Sequence, residues 1–319
     1  MTEHASMTWW GASGVELRFG DRSLLIDPYL HPAEARADYI CITHEDYDHC
    51  HEPTLQRLVA GHRFQKLMIP RSCTYRTKLD SPVHDSPTEL EFVPSEKLVV
   101  MYPKYKRDPD KSYEGVNELN LDGFQIETID SSERPERYRS GPGGIWPDGT
   151  GHYVGGGEFP QLGYVITESS TALTFYHPGD LHEAFDSQRQ LRGRIDYMFF
   201  PSVKLEGVEV TVIDNVRPRH IVPIHHRMDT PDFPIPAPTA IHESDLVATD
   251  LGAGGPRAGA DPKDYRREFH AMLNAHWYPT PRPPLQRIVS LEPQFRDLGS
   301  NLLILEAGKP YHFDVDRAT

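Results

Sequence analysis

Thr43-His44-Glu45-Asp46-Tyr47-Asp48-His49 follows directly on the apolar run Tyr39-Ile40-Cys41-Ile42, and the fold is decided at this junction. A buried strand that stops in a tight loop can point His44, Asp46, Asp48 and His49 into one small volume. Imidazole and carboxylate are the side chains that hold divalent cations. Crowding Asp46 and Asp48 together without a cation would set like charges against each other at a destabilising cost. The competing reading of the same seven residues is a solvated acidic turn with incidental histidines.

Outward from this loop, Val15-Glu16-Leu17-Arg18-Phe19 alternates, Gly20-Asp21 turns, and Ser23-Leu24-Leu25-Ile26-Asp27 runs apolar. That pattern is a hairpin. Behind the loop, Glu52-Pro53 opens a helix over 52–59, with proline in its first turn. Further strands are expected at 66–69, 97–101, 125–129, 162–167, 172–176, 197–200 and 220–224. Helices are expected near 181–190, 208–216, 238–246 and 262–274. Strands in quick succession, broken by a few helices, define an α+β sandwich with helices on its outer faces. The segment 141–157 contains eight glycines and is too long for an ordinary hairpin turn, which marks it as a functional or disordered loop. The expected division is a catalytic domain over 1–251 and a C-terminal extension over 252–319 packed on it. That extension is expected to carry a strand-like end at 301–306.

The whole chain narrows the function classes. It has 319 residues, 38% hydrophobic and 25% charged, enough for a sizeable core. Its net charge of −14 argues against a nucleic-acid partner, which usually meets a basic surface. Short basic stretches exist, among them Arg134, Arg137 and Arg139, which lie next to the glycine-rich loop and are candidates for receiving an anionic substrate. Met1-Thr2-Glu3-His4-Ala5-Ser6 is no secretory signal, and no apolar run approaches the ~20 residues of a membrane span. Cys41, Cys50 and Cys73 are odd in number and form no C-x-x-C pair. A reducing cytoplasm is therefore the expected setting.

Two later strands also end in donor residues, Thr174-Phe175-Tyr176 in His177-Pro178-Gly179-Asp180 and His220-Ile221-Val222-Pro223-Ile224 in His225-His226. Strand ends gather at one rim of a sandwich, so these ends can meet the 43–49 loop. Six or seven nitrogen and oxygen donors suffice for two metal ions roughly 3.5–4 Å apart. Asp27, closing the hairpin, is expected either to accept a hydrogen bond from a ligand histidine or the loop backbone, or to initiate a turn before Pro28.

Trp9-Trp10-Gly11 through Ile26-Asp27-Pro28, the 43–49 loop, Gly179-Asp180 and Val222-Pro223-Ile224-His225 together resemble the metallo-β-lactamase superfamily. Within it they look most like the branch of ascorbate-phosphate lactonases. The resemblance implies a four-layer αββα sandwich with a dinuclear centre at one edge. On the family motif H-x-H-x-D-H, His44 would bind the first metal, and Asp48 and His49 the second. Asp180 would bridge the two, and His225 would complete the second site. Two positions depart from the family. Asp46 stands where the second histidine is usual, and the nearest match to a histidine after the 125–129 strand is Glu133. Either the first site survives with His44, Asp46 and Glu133, or only one metal binds well. Carboxylates in place of imidazoles shift the preference from zinc toward iron or manganese. His152 and His177 are the fallback ligands, and His177 is equally a candidate for orienting Asp180.

The expected activity is metal-dependent hydrolysis, a dinuclear-site hydroxide cleaving the acyl bond of a coenzyme A-type thioester, a lactone or another ester. Asp48 would orient the nucleophile and accept a proton. The expected partner is a small-molecule substrate that is a candidate for being CoA-linked, with no nucleic acid and no membrane, and a homo-oligomer is left open. The alternatives are a phosphodiesterase of the same fold and a non-hydrolytic di-iron or binding protein.

Overall fold

The computed structural model describes residues 5–28, 37–44, 49–50, 52–61, 63–74, 90, 92–108, 110, 112–131, 161–181, 183–202, 207–225, 284–306 and 308–313. The first sheet contains β1 (Ala5–Gly11), β2 (Gly14–Phe19), β3 (Arg22–Ile26), β4 (Tyr39–Cys41), β5 (Lys66–Pro70) and β6 (Leu98–Met101). The second contains β7 (Glu118–Leu121), β8 (Phe124–Asp130), β9 (Leu162–Glu168), β10 (Thr174–His177), β11 (Tyr197–Pro201) and β12 (His220–Ile224). The short strands β13 (Asn301–Leu302) and β14 (Pro310–His312) each complete one sheet. The resulting orders are β14-β1-β2-β3-β4-β5-β6 and β13-β12-β11-β10-β9-β8-β7. Each sheet is antiparallel at one end and parallel at the other: β3 to β6 and β10 to β13 run parallel.

Side-chain alternation explains the layers. Leu24 and Ile26 enter the core between the sheets, while Leu25 faces the other way. In β11, Tyr197 and Phe199 point inward, and Met198 and Phe200 point outward. Apolar residues on both faces are what a strand covered on both sides requires. The outer face of the first sheet is covered by α1 (Glu52–Val59) through Leu55 and Leu58. That of the second is covered by a 3-10 helix (Asp186–Leu191), α2 (Glu209–Val216), α3 (Pro284–Ser290) and α4 (Glu292–Asp297). Leu191, Val212, Ile213, Val216, Ile288 and Phe295 supply the contact. The molecule is thus the expected αββα sandwich.

Differences from the sequence expectation are local. The helix expected near 181–190 is a 3-10 turn over Asp186–Leu191, because the Gln188 side chain returns to accept from the Phe185 N–H at 3.0 Å and Gln188 N bonds to Phe185 O at 3.1 Å. The strand-like end at 301–306 is a strand only over Asn301–Leu302. Beyond Leu303, whose N–H reaches Ile221 O, the chain departs toward β14. The helices expected at 238–246 and 262–274 lie outside the described residues. Among the described residues, no helix is long and apolar enough to cross a membrane.

One buried charge belongs to the fold and not to the site. Glu168, at the end of β9, accepts from Ser170 N at 3.0 Å, Thr171 N at 2.7 Å and the hydroxyls of Ser170 and Thr171. Burial pushes its carboxyl up, but these bonds outweigh burial and hold it below its usual value of 4.5. A depressed carboxylate stabilises the fold above the unfolded value, and that contribution disappears as pH falls through the folded one. Glu168→Gln is therefore expected to cost about 1–3 kcal/mol at pH 7. Urea melts should show the gap to wild type narrowing only below pH 4.5. A gap that stays constant into acid would mean the charge plays no part.

Candidate metal centre

The site lies where the parallel strands of both sheets end. Asp27 follows β3, Thr43 and His44 follow β4, Asp180 follows β10, and His225 follows β12. Inter-sheet bonds fix this rim: Leu162 N donates to Thr43 O at 2.9 Å, Tyr164 OH to Ile42 O at 2.8 Å, and His225 N to Ala12 O at 2.9 Å. Asp27, His225 and Ala12 hold φ of 45°, 56° and 42°. Left-handed backbone at non-glycine residues costs of order 1–3 kcal/mol each and collects at functional sites. Three of the five such residues among those described stand on this rim.

Asp180 is the focus. His49 Nε2 and His225 Nε2 each lie 3.3 Å from its Oδ1, and His44 Nε2 lies 3.8 Å from its Oδ2. All four residues are buried. Donor atoms of His44, His49 and Asp180 fall within 4.8 Å of one another. One carboxylate oxygen therefore faces one histidine, and the other faces two.

The tautomers follow from hydrogen bonding. Asp27 Oδ1 accepts from Thr43 N at 2.8 Å, and Asp27 Oδ2 accepts from the Thr43 hydroxyl at 2.6 Å. The same Oδ2 lies 2.7 Å from His49 Nδ1. Burial alone would push the Asp27 carboxyl up, but the adjacent His49 and its hydrogen bond outweigh burial and hold it below the usual value. Asp27 is thus a carboxylate, so His49 Nδ1 must carry the proton. The Thr43 hydroxyl has one proton and gives it to Asp27, so across 3.0 Å it can only accept from His44 Nδ1. Both histidines are left with Nε2 lone pairs turned toward Asp180. Nitrogen lone pairs and a carboxylate converging in a buried space suit a cation placed among them. The donor set, imidazoles around one carboxylate with a buried acid fixing a ring, is the chemistry of a divalent-cation site.

His177 stands apart from the donors. Its Nε2 donates to Ser13 O at 2.9 Å and its Nδ1 accepts from Gly179 N at 3.2 Å. Burial pushes its pKa below the ordinary imidazole range. Both ring nitrogens are thus engaged, one of them with the turn that carries Asp180. Gly179 is required in that turn, because its φ is +66° and a Cβ would lie 3.0 Å from Thr43 Cβ. Cys41 also faces this region, and burial raises its thiol well above the ordinary value, which keeps it protonated.

The structure thus brings together His44, His49, Asp180 and His225, with Asp27 and His177 behind them. Asp46, Asp48, Glu133, His152, Arg134, Arg137 and Arg139 lie outside the described residues. Sequence reasoning assigned no part to Thr43 or to the Gly11–Gly14 turn. For Thr43 the available signal was its place between a buried strand and the first histidine.

Comparison with known proteins gives the family. Residues 6–225 match the model of the beta-lactamase superfamily domain, and the chain belongs to that family. No curated protein matches it in sequence. Among solved structures, a metallo hydrolase from the archaeon Ignicoccus hospitalis is similar over 98% of this chain and 99% of its own, at 15% identity and a TM-score of 0.50. An isothiocyanate hydrolase from Delia radicum gut bacteria matches 97% of this chain and 99% of its own, at 16% identity and 0.47. A diiron beta-hydroxylase from Streptomyces venezuelae matches 98% of this chain but 55% of its own, at 12% identity and 0.49.

Proposed function

We propose that this protein is a metal-dependent hydrolase that cleaves an acyl bond, a coenzyme A-type thioester or a lactone, at a centre of two divalent cations. The observation that carries this reading is the division of the Asp180 carboxylate, Oδ2 toward His44 and Oδ1 toward His49 and His225. A carboxylate placed in that way suits a bridge between two cations. When bound, such cations supply Lewis-acid activation of water and of the scissile carbonyl. The protein's own part is to keep Asp27 ionised and the protons of His44 and His49 on Nδ1. His177 and Gly179 hold Asp180 in place. Asp48 is assigned the proton released when water adds to the carbonyl carbon, and the departing thiol or alcohol takes a proton as the acyl bond breaks.

Iron or manganese is favoured over zinc because Asp46 and Glu133 replace imidazoles with hard oxygen donors. The acyl class rests on the likeness to the lactonase branch. The net charge of −14 speaks against large polyanionic substrates, and the arginines 134, 137 and 139 are assigned to a small anionic group. The cytoplasm is the proposed setting, since none of the three cysteines is in a disulfide. Metal analysis of protein from iron- and zinc-supplemented cells should find about two ions per chain. A side-by-side assay should show turnover of acyl-CoA esters or lactones. One ion per chain under both conditions rejects the dinuclear centre, and turnover of bis-nitrophenyl phosphate alone rejects the acyl class.

A further inference from the structure

The turn between β1 and β2 forms a wall of the metal centre that neither the H-x-H-x-D-H loop nor the histidine pattern includes. Ala12 O holds the His225 backbone and Ser13 O holds the His177 ring. Ser13 is fully buried, and its hydroxyl lies 3.5 Å from Nε2 of His49. Because Asp27 fixes the His49 proton on Nδ1, that Nε2 is the lone-pair atom that also faces Asp180.

We infer that Ser13 is a metal ligand, its Oγ joining His49, His225 and Asp180 as an oxygen donor to the cation they frame. This rests on the dinuclear reading above and adds a residue to it. As a hydrogen bond, 3.5 Å is poor, because a hydroxyl normally approaches its acceptor to about 2.7–3.2 Å. As a distance between two donors of one cation it is ordinary. Donors bound to one cation at about 2.0–2.2 Å stand roughly 2.8–3.6 Å apart over angles of about 90–110°. The His49–Asp180 and His225–Asp180 separations are both 3.3 Å. The serine oxygen has two lone pairs to offer, and a neutral hard oxygen adds a donor without adding charge to a carboxylate-rich site. Its position is fixed, since both carbonyls of the Ala12-Ser13 pair are tied to site histidines and Ala12 is held at φ 42°.

The test uses cobalt(II) as the probe metal on the full chain, with Ser13→Ala and Ser13→Cys, after melting curves of the metal-free proteins show that both variants fold. Calorimetric titration should show Ser13→Ala binding cobalt about 10–100-fold more weakly at one site, the range known for losing a supporting partner. Cobalt-loaded Ser13→Cys should gain a thiolate-to-cobalt charge-transfer band in the near ultraviolet. Wild type, with its own three cysteines, is the blank and should lack that band. Unchanged affinity in Ser13→Ala, or no new band in Ser13→Cys, overturns the assignment of Ser13 while leaving the metal centre intact. Failure of wild type to bind cobalt overturns both.

Discussion

Asp180→Asn is expected to abolish hydrolysis and metal retention together while leaving the metal-free fold in place. The side chain is buried, with its two oxygens shared among three imidazoles at 3.3, 3.3 and 3.8 Å. Asparagine keeps the shape and one oxygen but removes the only negative charge among the described donors. Its amide nitrogen would point an N–H at a position where a cation must bind. Losing a partner that merely supports a ligand costs roughly 10–100-fold in affinity, and losing a shared ligand should exceed that. Elemental analysis after dialysis should find less than one ion per chain. The metal-free melting temperature should move by only a few degrees, because the change is isosteric. A variant that keeps wild-type metal content would remove Asp180 from the centre.

Asp27→Asn should be nearly as damaging, though Asp27 touches no metal. The carboxylate is the acceptor that keeps the His49 proton on Nδ1, at 2.7 Å, and the Thr43 proton turned inward, at 2.6 Å. In asparagine the Thr43 backbone N–H, 2.8 Å from Oδ1, requires the remaining oxygen there, so the amide nitrogen takes the Oδ2 place and offers its N–H to these groups. If it faces His49, the imidazole must present Nδ1 as acceptor and carry its proton on Nε2, directed at the cation. If it faces Thr43, the hydroxyl proton turns back toward His44. Either way one ligand lone pair is lost, and the expected fall in metal affinity is about 10–100-fold. The metal-free protein should also lose about 1–3 kcal/mol, because Thr43 or His49 keeps a buried donor without its acceptor. Titrating metal into the apo variant, with a urea melt beside it, measures both effects. Affinity within twofold of wild type would refute the tautomer argument.

Much of the frame was legible because buried strands announce themselves. Ser23-Leu24-Leu25-Ile26 and Tyr197-Met198-Phe199-Phe200 are apolar on both faces, as strands between two layers must be. β7 and β14 gave no such signal. Glu118–Leu121 is an edge strand with polar residues outward, and Pro310–His312 contributes one partly buried tyrosine. β1 carries its signal at alternate positions, Ala5, Met7 and Trp9, where two adjacent tryptophans obscured the period. The helices 284–290 and 292–297 carry a proline in the first turn and are short, so neither shows a full amphipathic repeat.

The centre divides in a similar way. His44, His49, Asp180 and His225 could be picked out because imidazole and carboxylate at strand ends have few other uses. Thr43, Ala12 and Ser13 could not, since Ala12 and Ser13 hold histidines through backbone carbonyls, and the hydroxyls of Thr43 and Ser13 are ones that any buried turn might contain. Residue type carries no trace of such roles, which appear only when the two sheets are brought edge to edge.

The pairing of Ser6 with His312 ties the first described strand to the last, and Phe313 stacks on Phe19 at 5.7 Å while also meeting Tyr197 of the opposite sheet at 5.1 Å. A ribosome adding about 5–20 residues per second needs roughly 15–60 s to travel between those partners. Throughout that interval the outer edge of β1 is bare, and an unpaired strand edge invites pairing with other chains. Such long sequence separation also slows folding once synthesis ends. Chaperone demand during production should therefore be governed by how soon the C-terminal strand arrives, and not by the chemistry at the rim.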